Sequence, residues 1–245
     1  MRAALLGATR GMGRALAREL AGRGARLCLL GRNAQQLARS ARDLELRGAQ
    51  GEVATVHCDL LEPESFEPAL EAAERALDGV DTVVVTAALF DTQEALEADA
   101  KQRHTLLMAD FVHTVQFCEA ARARLLARGG GTLCAFSSVA GERGRQSVIL
   151  YGAAKAGLSH YLEGLDHKFR KQGLRVVNVK PGFVKTSMTA QLDAPPFAGE
   201  PERVAARVVR AIERGEPVVY APGTWRWIMW IIRLLPRAVL RRIDF

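Results

Sequence analysis

The sequence is poor in cysteine and has no long apolar run, and each shortage excludes a class of protein. Its four cysteines (Cys28, Cys58, Cys118 and Cys134) lie far apart, with no C-x-x-C pair and no histidine cluster. That spacing argues against a zinc module or a disulfide framework, and predicts reduced thiols packed in a core, with no metal site. No stretch reaches the roughly 18 apolar residues that a membrane-spanning helix needs. The first eight residues carry too short an apolar run for a signal peptide, so a cytoplasmic protein is expected. Repeats and low-complexity segments are also missing. The formal net charge is +7, yet no nucleic-acid-binding motif accompanies it. The surplus of cations therefore predicts phosphate-bearing ligands or an anionic surface, not a nucleic acid.

What the sequence does have is 245 residues, 49% of them apolar, enough for one sizeable α/β core. Short apolar runs at 2–6, 25–30, 52–57, 82–86, 132–136, 174–179 and 217–220 read as strands. Helical patterns follow the first glycine loop and recur at 34–47, 63–77, 100–128, 151–172 and 202–214. This alternation predicts a doubly wound parallel sheet. A catalytic domain over 1–224 is followed by an apolar, basic tail over 225–245, in which 227–232 is apolar all round. Pro236 should end a first tail helix and start a second. Such a tail suits an anionic membrane surface, the mouth of a lipid pocket or a partner subunit.

The first strand runs into G-A-T-R-G-M-G, which places Gly7, Gly11 and Gly13 at the turn into a helix, with Thr9, Arg10 and Met12 between them. Glycines there permit a tight turn, close approach of the backbone to a pyrophosphate and close helix packing, with the helix N-terminus facing the phosphates. The second strand ends at Gly31-Arg32, where an acid would bind a ribose 2′-hydroxyl. Arg32, with Arg10 in the glycine loop, suits a 2′-phosphate instead, so NADP(H) is expected over NAD(H). Asp59, followed by Leu60, closes the third strand; it could accept from the adenine amino group or cap the next helix.

Tyr151 and Lys155 stand four apart in L-Y-G-A-A-K-A-G-L, on one face of a predicted helix. A neighbouring cation stabilises phenolate, so the spacing predicts a lowered tyrosine pKa and a general acid/base. Ser138 follows the 132–136 strand and could hydrogen-bond a substrate oxygen, with Ser137 as the alternative if the register slips by one.

Taken together, the glycine loop, Asp59, Ser138, Tyr151, Lys155 and the P-G-x-V-x-T run at 181–186 resemble the short-chain dehydrogenase/reductase family over nearly the whole chain. The resemblance implies a single-domain Rossmann fold with seven parallel strands ordered 3-2-1-4-5-6-7 and a nicotinamide cofactor. It implies that Tyr151 is the acid/base, that Ser138 orients the carbonyl, and that Lys155 binds the nicotinamide ribose. Pro181, Gly182, Val184 and Thr186 would embrace the nicotinamide. Two departures stand out. Val85-Thr86-Ala87-Ala88 replaces the family's Asn-Asn-Ala-Gly, leaving Ala87 small enough for a cofactor to pass. Asp110 stands where the family places an asparagine that holds a relay water to the lysine.

The segment S-S-V-A-G-E-R-G-R-Q-S and the tail are similar to a subgroup that reduces a keto-pentose attached to a polyprenyl phosphate. The expected function is therefore NADPH-dependent reduction of a ketone on a lipid-linked or otherwise apolar substrate. The alternatives are a steroid or fatty-alcohol dehydrogenase and a non-catalytic NADP sensor. A homodimer or homotetramer with peripheral membrane contact is expected.

Overall fold

Residue alternation within the strands sets the layers of the molecule. In strand β1 (Arg2–Leu6), Ala3 and Leu5 join one apolar cluster while Ala4 and Leu6 join another. The same division separates Leu27 and Leu29 from Cys28 and Leu30 in β2 (Arg26–Gly31). Successive side chains point to opposite faces, so a strand apolar at every position must be covered on both.

The computed structural model describes residues 1–191, 193–195 and 197–242. With β3 (Ala54–His57), β4 (Thr82–Val85), β5 (Gly131–Phe136), β6 (Leu174–Pro181) and β7 (Val218–Ala221), the strands form one parallel sheet ordered β3-β2-β1-β4-β5-β6-β7. This is the single-domain Rossmann fold that the sequence predicts. Helices α1 (Gly11–Gly22), α2 (Ala34–Leu46) and α8 (Pro201–Arg214) cover one face, through Leu16, Leu20, Leu37, Val208 and Ile212. Helices α3 (Phe66–Leu77), α6 (Thr114–Ala127) and α7 (Ile149–Phe169) cover the other, where Phe66 and Phe117 meet edge to face at 5.4 Å. The four cysteines are free and buried, and burial pushes the Cys28 and Cys58 thiols up to about 12 and about 11. Thiols so disposed are packing groups, not nucleophiles.

Four departures from the sequence expectation matter for the site. The helix expected over 100–128 is interrupted: α5 (Ala100–Leu107) passes through a π turn, Met108–His113, before α6. A short helix that the pattern does not predict, α4 (Gln93–Ala98), precedes it. Helix α7 begins at Ile149, two residues before Tyr151, and β6 extends through Pro181. The tail forms α9 (Trp225–Leu234) and α10 (Arg237–Leu240), divided at Pro236; residues 243–245 lie outside the described residues.

Candidate active site

Strand order reverses at β1, where Leu6 pairs with Leu30 on one side and Val85 on the other. Ligands of open parallel sheets bind in the crevice beyond the strand ends at such a point. The residues that follow β1 are shaped for a close crossing. Gly7 has φ +95, and a Cβ there would collide with the Ala87 backbone. A Cβ on Gly13 would collide with the Gly7 carbonyl oxygen and the Thr86 hydroxyl. Thr86 N–H, its hydroxyl and Ala87 N–H all donate to the Leu6 carbonyl, drawing the post-β4 segment across β1.

Helix α1 opens onto this crevice without a side-chain cap and with no acid in its first turn. Its free N–H groups and positive dipole end suit a diphosphate. Arg10, Gly11, Arg14, Lys185 and Thr186 line an adjoining cavity of about 750 Å³. Thr9 and Met12 belong to the same loop and first turn. The donor set therefore fits a dinucleotide. At the far end Arg32 is exposed, 3.9 Å from Asp59 Oδ2, while Asp59 Oδ1 accepts from Leu61 N–H. Asp59 thus holds its own turn instead of capping α3, and Leu60 behind it is buried. On the opposite rim Gly182 N–H donates to Ala221, Val184 is buried, and Thr186 packs near Gly11.

Ser138, Tyr151, Lys155 and Asp110 converge beside these strand ends. Ser138 Oγ accepts from Ala140 N–H, fixing the turn after β5, and its hydroxyl pulls the Tyr151 phenol downward. The neighbouring Ser137 is turned inward: its hydroxyl donates to Asn178 Oδ1 at 2.6 Å and its N–H to the Val179 carbonyl. The register thereby leaves Ser138, not Ser137, facing the phenol.

Asp110 approaches the lysine directly. Its Oδ2 lies 3.1 Å from Lys155 Nζ, and both side chains are sealed from solvent. Its Oδ1 accepts from Leu89 N–H at 2.6 Å. The π turn puts Asp110 in this position, a common location for π turns. Burial disfavours the Lys155 charge, but Asp110, followed by Tyr151, outweighs that, and the ammonium is held above its ordinary value. Burial also pushes the Asp110 carboxyl up, against the pull of Lys155. For Tyr151 the spacing predicts a lowered pKa, and Lys155, 5.5 Å from the ring centre, does pull downward. Burial, reinforced by the Asp110 charge, wins, and the phenol lies above its ordinary value.

Several supporting residues escape sequence reasoning. Phe90 packs edge-on to Tyr151 at 5.2 Å, and Gln93 Oε1 accepts from Leu150 N–H at the start of α7. Glu142, next to the Ser138 turn, accepts from Lys180 at 2.7 Å and from Tyr220 at 2.6 Å. Only the segment's position between β4 and the 100–107 helix could have flagged Phe90 and Gln93, since 89–98 carries no clear period.

Residues 2–196 match the family model of the short chain dehydrogenases. An uncharacterised oxidoreductase of Mycobacterium tuberculosis is 36% identical over 233 residues, 95% of this chain and 93% of that one. A short-chain type dehydrogenase/reductase from Mycobacterium ulcerans superposes with a TM-score of 0.83 at 20% identity, over 98% of this chain and 97% of its own. A variant of the actinorhodin polyketide ketoreductase, solved with NADPH, gives a TM-score of 0.77 at 22% identity, over 89% and 95%. The chain belongs to the short-chain dehydrogenase/reductase family, the NAD(P)-dependent oxidoreductases of small-molecule carbonyl and alcohol groups.

Proposed function

We propose that this protein reduces a ketone on a lipid-linked or otherwise apolar substrate, a polyprenyl-phosphoryl keto-sugar being one such compound, with NADPH as reductant. The observation that supports the reading is the Tyr151 phenol, which burial pushes above its ordinary value, placed beside Ser138 with Lys155 5.5 Å from its ring centre. A phenol kept neutral is a proton donor, which is what a ketone needs as it becomes an alkoxide. When bound, the nicotinamide supplies the hydride to the carbonyl carbon. Ser138 holds the carbonyl oxygen, and Tyr151 passes its O–H proton to that oxygen. The Lys155 ammonium stabilises the phenolate left behind, and Asp110 keeps Lys155 charged and in place. Pro181, Gly182, Val184 and Thr186 would contact the nicotinamide end, with Ala87 beneath its path.

Two features support NADPH: Gly31 leaves no acid at the end of β2, and the exposed Arg32 follows it beside Asp59. That the actinorhodin ketoreductase structure contains NADPH accords with this reading. The apolar substrate is argued from α9. Trp225 sits directly on Gly182 and Met229 is fully buried, so the helix is docked at the rim of the crevice. Trp227, Trp230, Ile231 and Leu234 nevertheless all face outward, at the i, i+3, i+4, i+7 spacing of one helix face. With Arg226, Arg233, Arg237, Arg241 and Arg242 along the tail, this face suits an anionic bilayer surface. No helix among the described residues is long and apolar enough to cross a membrane.

The test is NADPH consumption with a panel of keto-sugar phospholipids, steroids and acyl ketones, comparing the unaltered protein with Tyr151→Phe. The variant should lose about 10²-fold or more in kcat and keep its NADPH affinity. A variant that retains more than about a tenth of kcat would remove Tyr151 from the proton transfer.

A further inference from the structure

The π turn at Met108–His113 is tied to its surroundings at several successive residues. The Ala109 carbonyl accepts from the buried Thr114 hydroxyl at 2.7 Å, across the five residues that one widened turn closes. Asp110 meets Lys155 Nζ at 3.1 Å and Leu89 N–H at 2.6 Å. The Phe111 ring lies over Gly157 of α7, where a Cβ would meet it at 2.8 Å. His113 Nδ1 stands 2.5 Å from the Leu60 carbonyl oxygen. A carbonyl only accepts, so Nδ1 carries the proton and donates.

Residues three apart on an α-helix share a face, so a regular helix would turn Asp110 and His113 to one neighbour. The widened turn spreads them. Asp110 reaches α7 and the segment after β4, while His113 reaches the turn after β3. Strands β3 and β4 stand three places apart in the sheet, with β2 and β1 between them. One turn of backbone thus bridges the end of the crevice marked by Asp59 and Leu60 and the end marked by Lys155. π turns are rare and occur mostly as single widened turns, so contacts outside the helix hold this one open. The His113 bond is the contact that ties it to the far end of the crevice. Without that bond, relaxation to an α turn would carry Asp110 off Lys155.

We propose that His113 is a positioning residue: its bond to the Leu60 carbonyl holds the π turn open and so keeps Asp110 on Lys155. The proposal deepens the reductase reading and rests on it only for the pair's part in catalysis. The effect of His113 on the reaction runs through Asp110, which with Lys155 supplies the charges acting on the Tyr151 phenol.

The test compares the unaltered full chain with His113→Leu, His113→Asn, Asp110→Asn and His113→Leu/Asp110→Asn. Leucine fills the space without a donor, whereas an asparagine amide can supply an N–H close to where Nδ1 stands. The first readout is amide hydrogen exchange at Leu89, which donates to Asp110, followed by NMR without cofactor or substrate. Exchange at Val83, Val84 and Val85 in β4 is the control for general loosening. His113→Leu should speed Leu89 exchange about tenfold or more and leave the β4 amides unchanged, and His113→Asn should restore most of the protection. The second readout is kcat and KM for a reducible ketone with saturating NADPH. At a pH on the falling limb, His113→Leu should lower kcat by about tenfold with KM for the ketone little changed. The double variant should lose no more than Asp110→Asn alone, because both changes break one interaction. Thr114→Val removes the hydroxyl from the Ala109 carbonyl at nearly constant shape, and it takes the place of His113→Leu in both measurements should that variant fail to fold. Leu89 exchange unchanged in His113→Leu would overturn the proposal. Equal acceleration at Leu89 and in β4, or additive losses of kcat in the double variant, would overturn it too. If no form reduces any ketone, the reductase reading fails while the exchange result still decides the clamp.

Discussion

Replacing Asp110 by asparagine should make ketone reduction fail at a lower pH. The carboxylate touches two groups: Lys155 Nζ at 3.1 Å and Leu89 N–H at 2.6 Å. Asparagine keeps an oxygen for Leu89 and nearly the same shape, so it removes charge more than packing. Alanine would leave an ammonium and an N–H unpaired in a buried site, at a cost of about 3–5 kcal/mol, and would confuse folding with catalysis. Lys155 Nζ lies 5.5 Å from the Tyr151 ring centre, so the carboxylate is within reach of the phenol by Coulomb repulsion. The 3.1 Å and 5.5 Å legs put Oδ2 within 8.6 Å of the ring centre, where two unit charges at an effective dielectric of about 20 interact by about 2 kcal/mol. That repulsion is one of the causes holding the phenol above its ordinary value. Reduction needs the phenol protonated, and activity is lost as pH rises through its pKa. Removing the repulsion lowers that pKa, so the falling limb moves to lower pH. At a fixed pH on the limb, kcat/KM should drop by about tenfold or more relative to the unaltered protein, since 1.36 kcal/mol corresponds to tenfold. The assay is kcat/KM for a reducible ketone with saturating NADPH from about pH 6 to 10, with NADPH affinity measured alongside. An unmoved limb would refute the repulsion. A limb moved upward would show that Asp110 acts chiefly by keeping Lys155 charged, which refutes it equally.

The remaining predictions address the two ends of the cofactor crevice and the tail. Arg32→Asp should lower the NADPH-to-NADH ratio of kcat/KM by about tenfold or more, because an anion replaces the exposed cation 3.9 Å from Asp59. Comparable use of both cofactors by the unaltered protein would already defeat the argument. Gly13→Ala drives a methyl into the Gly7 carbonyl and the Thr86 hydroxyl, an overpacking that costs about 1–3 kcal/mol. The Tm should fall by about 2–12 °C and dinucleotide affinity should weaken, as read by thermal melts and fluorescence titration. An unchanged melt would mean that the crossing has slack. Trp230→Ser/Ile231→Ser alters only outward-facing side chains and leaves Met229 seated. It should abolish sedimentation with anionic liposomes without changing the oligomeric mass; a changed mass with intact liposome binding would assign this face to a partner subunit.

The doubly wound sheet was legible because its signal is local. Strands apolar at every position, such as Val83-Val84-Val85, and glycines at the β1–α1 turn state their environment within a few residues. The Tyr151–Lys155 pair was legible for the same reason, since four residues along a helix bring two side chains to one face. The charge state of that pair was not. It depends on Asp110, which is contributed by a π turn, and apolar periodicity over 100–128 cannot distinguish one widened turn from a continuous helix. It depends also on how deeply the phenol is enclosed by Phe90 and by Gln93's hold on Leu150, contacts about 60 residues apart in sequence made by a segment without a period. The same limit applies to Arg143, Arg145, Arg237 and Arg241, which line one cavity. Arg143 and Arg145 read as two solvated cations in a loop, and Arg237 and Arg241 as two more in a tail. Their proximity appears only when a hydrogen bond spanning 92 residues, Arg143 to Leu235, draws the tail over the loop. A cation's sign is written in the sequence, but its counter-charge is a property of the folded neighbourhood.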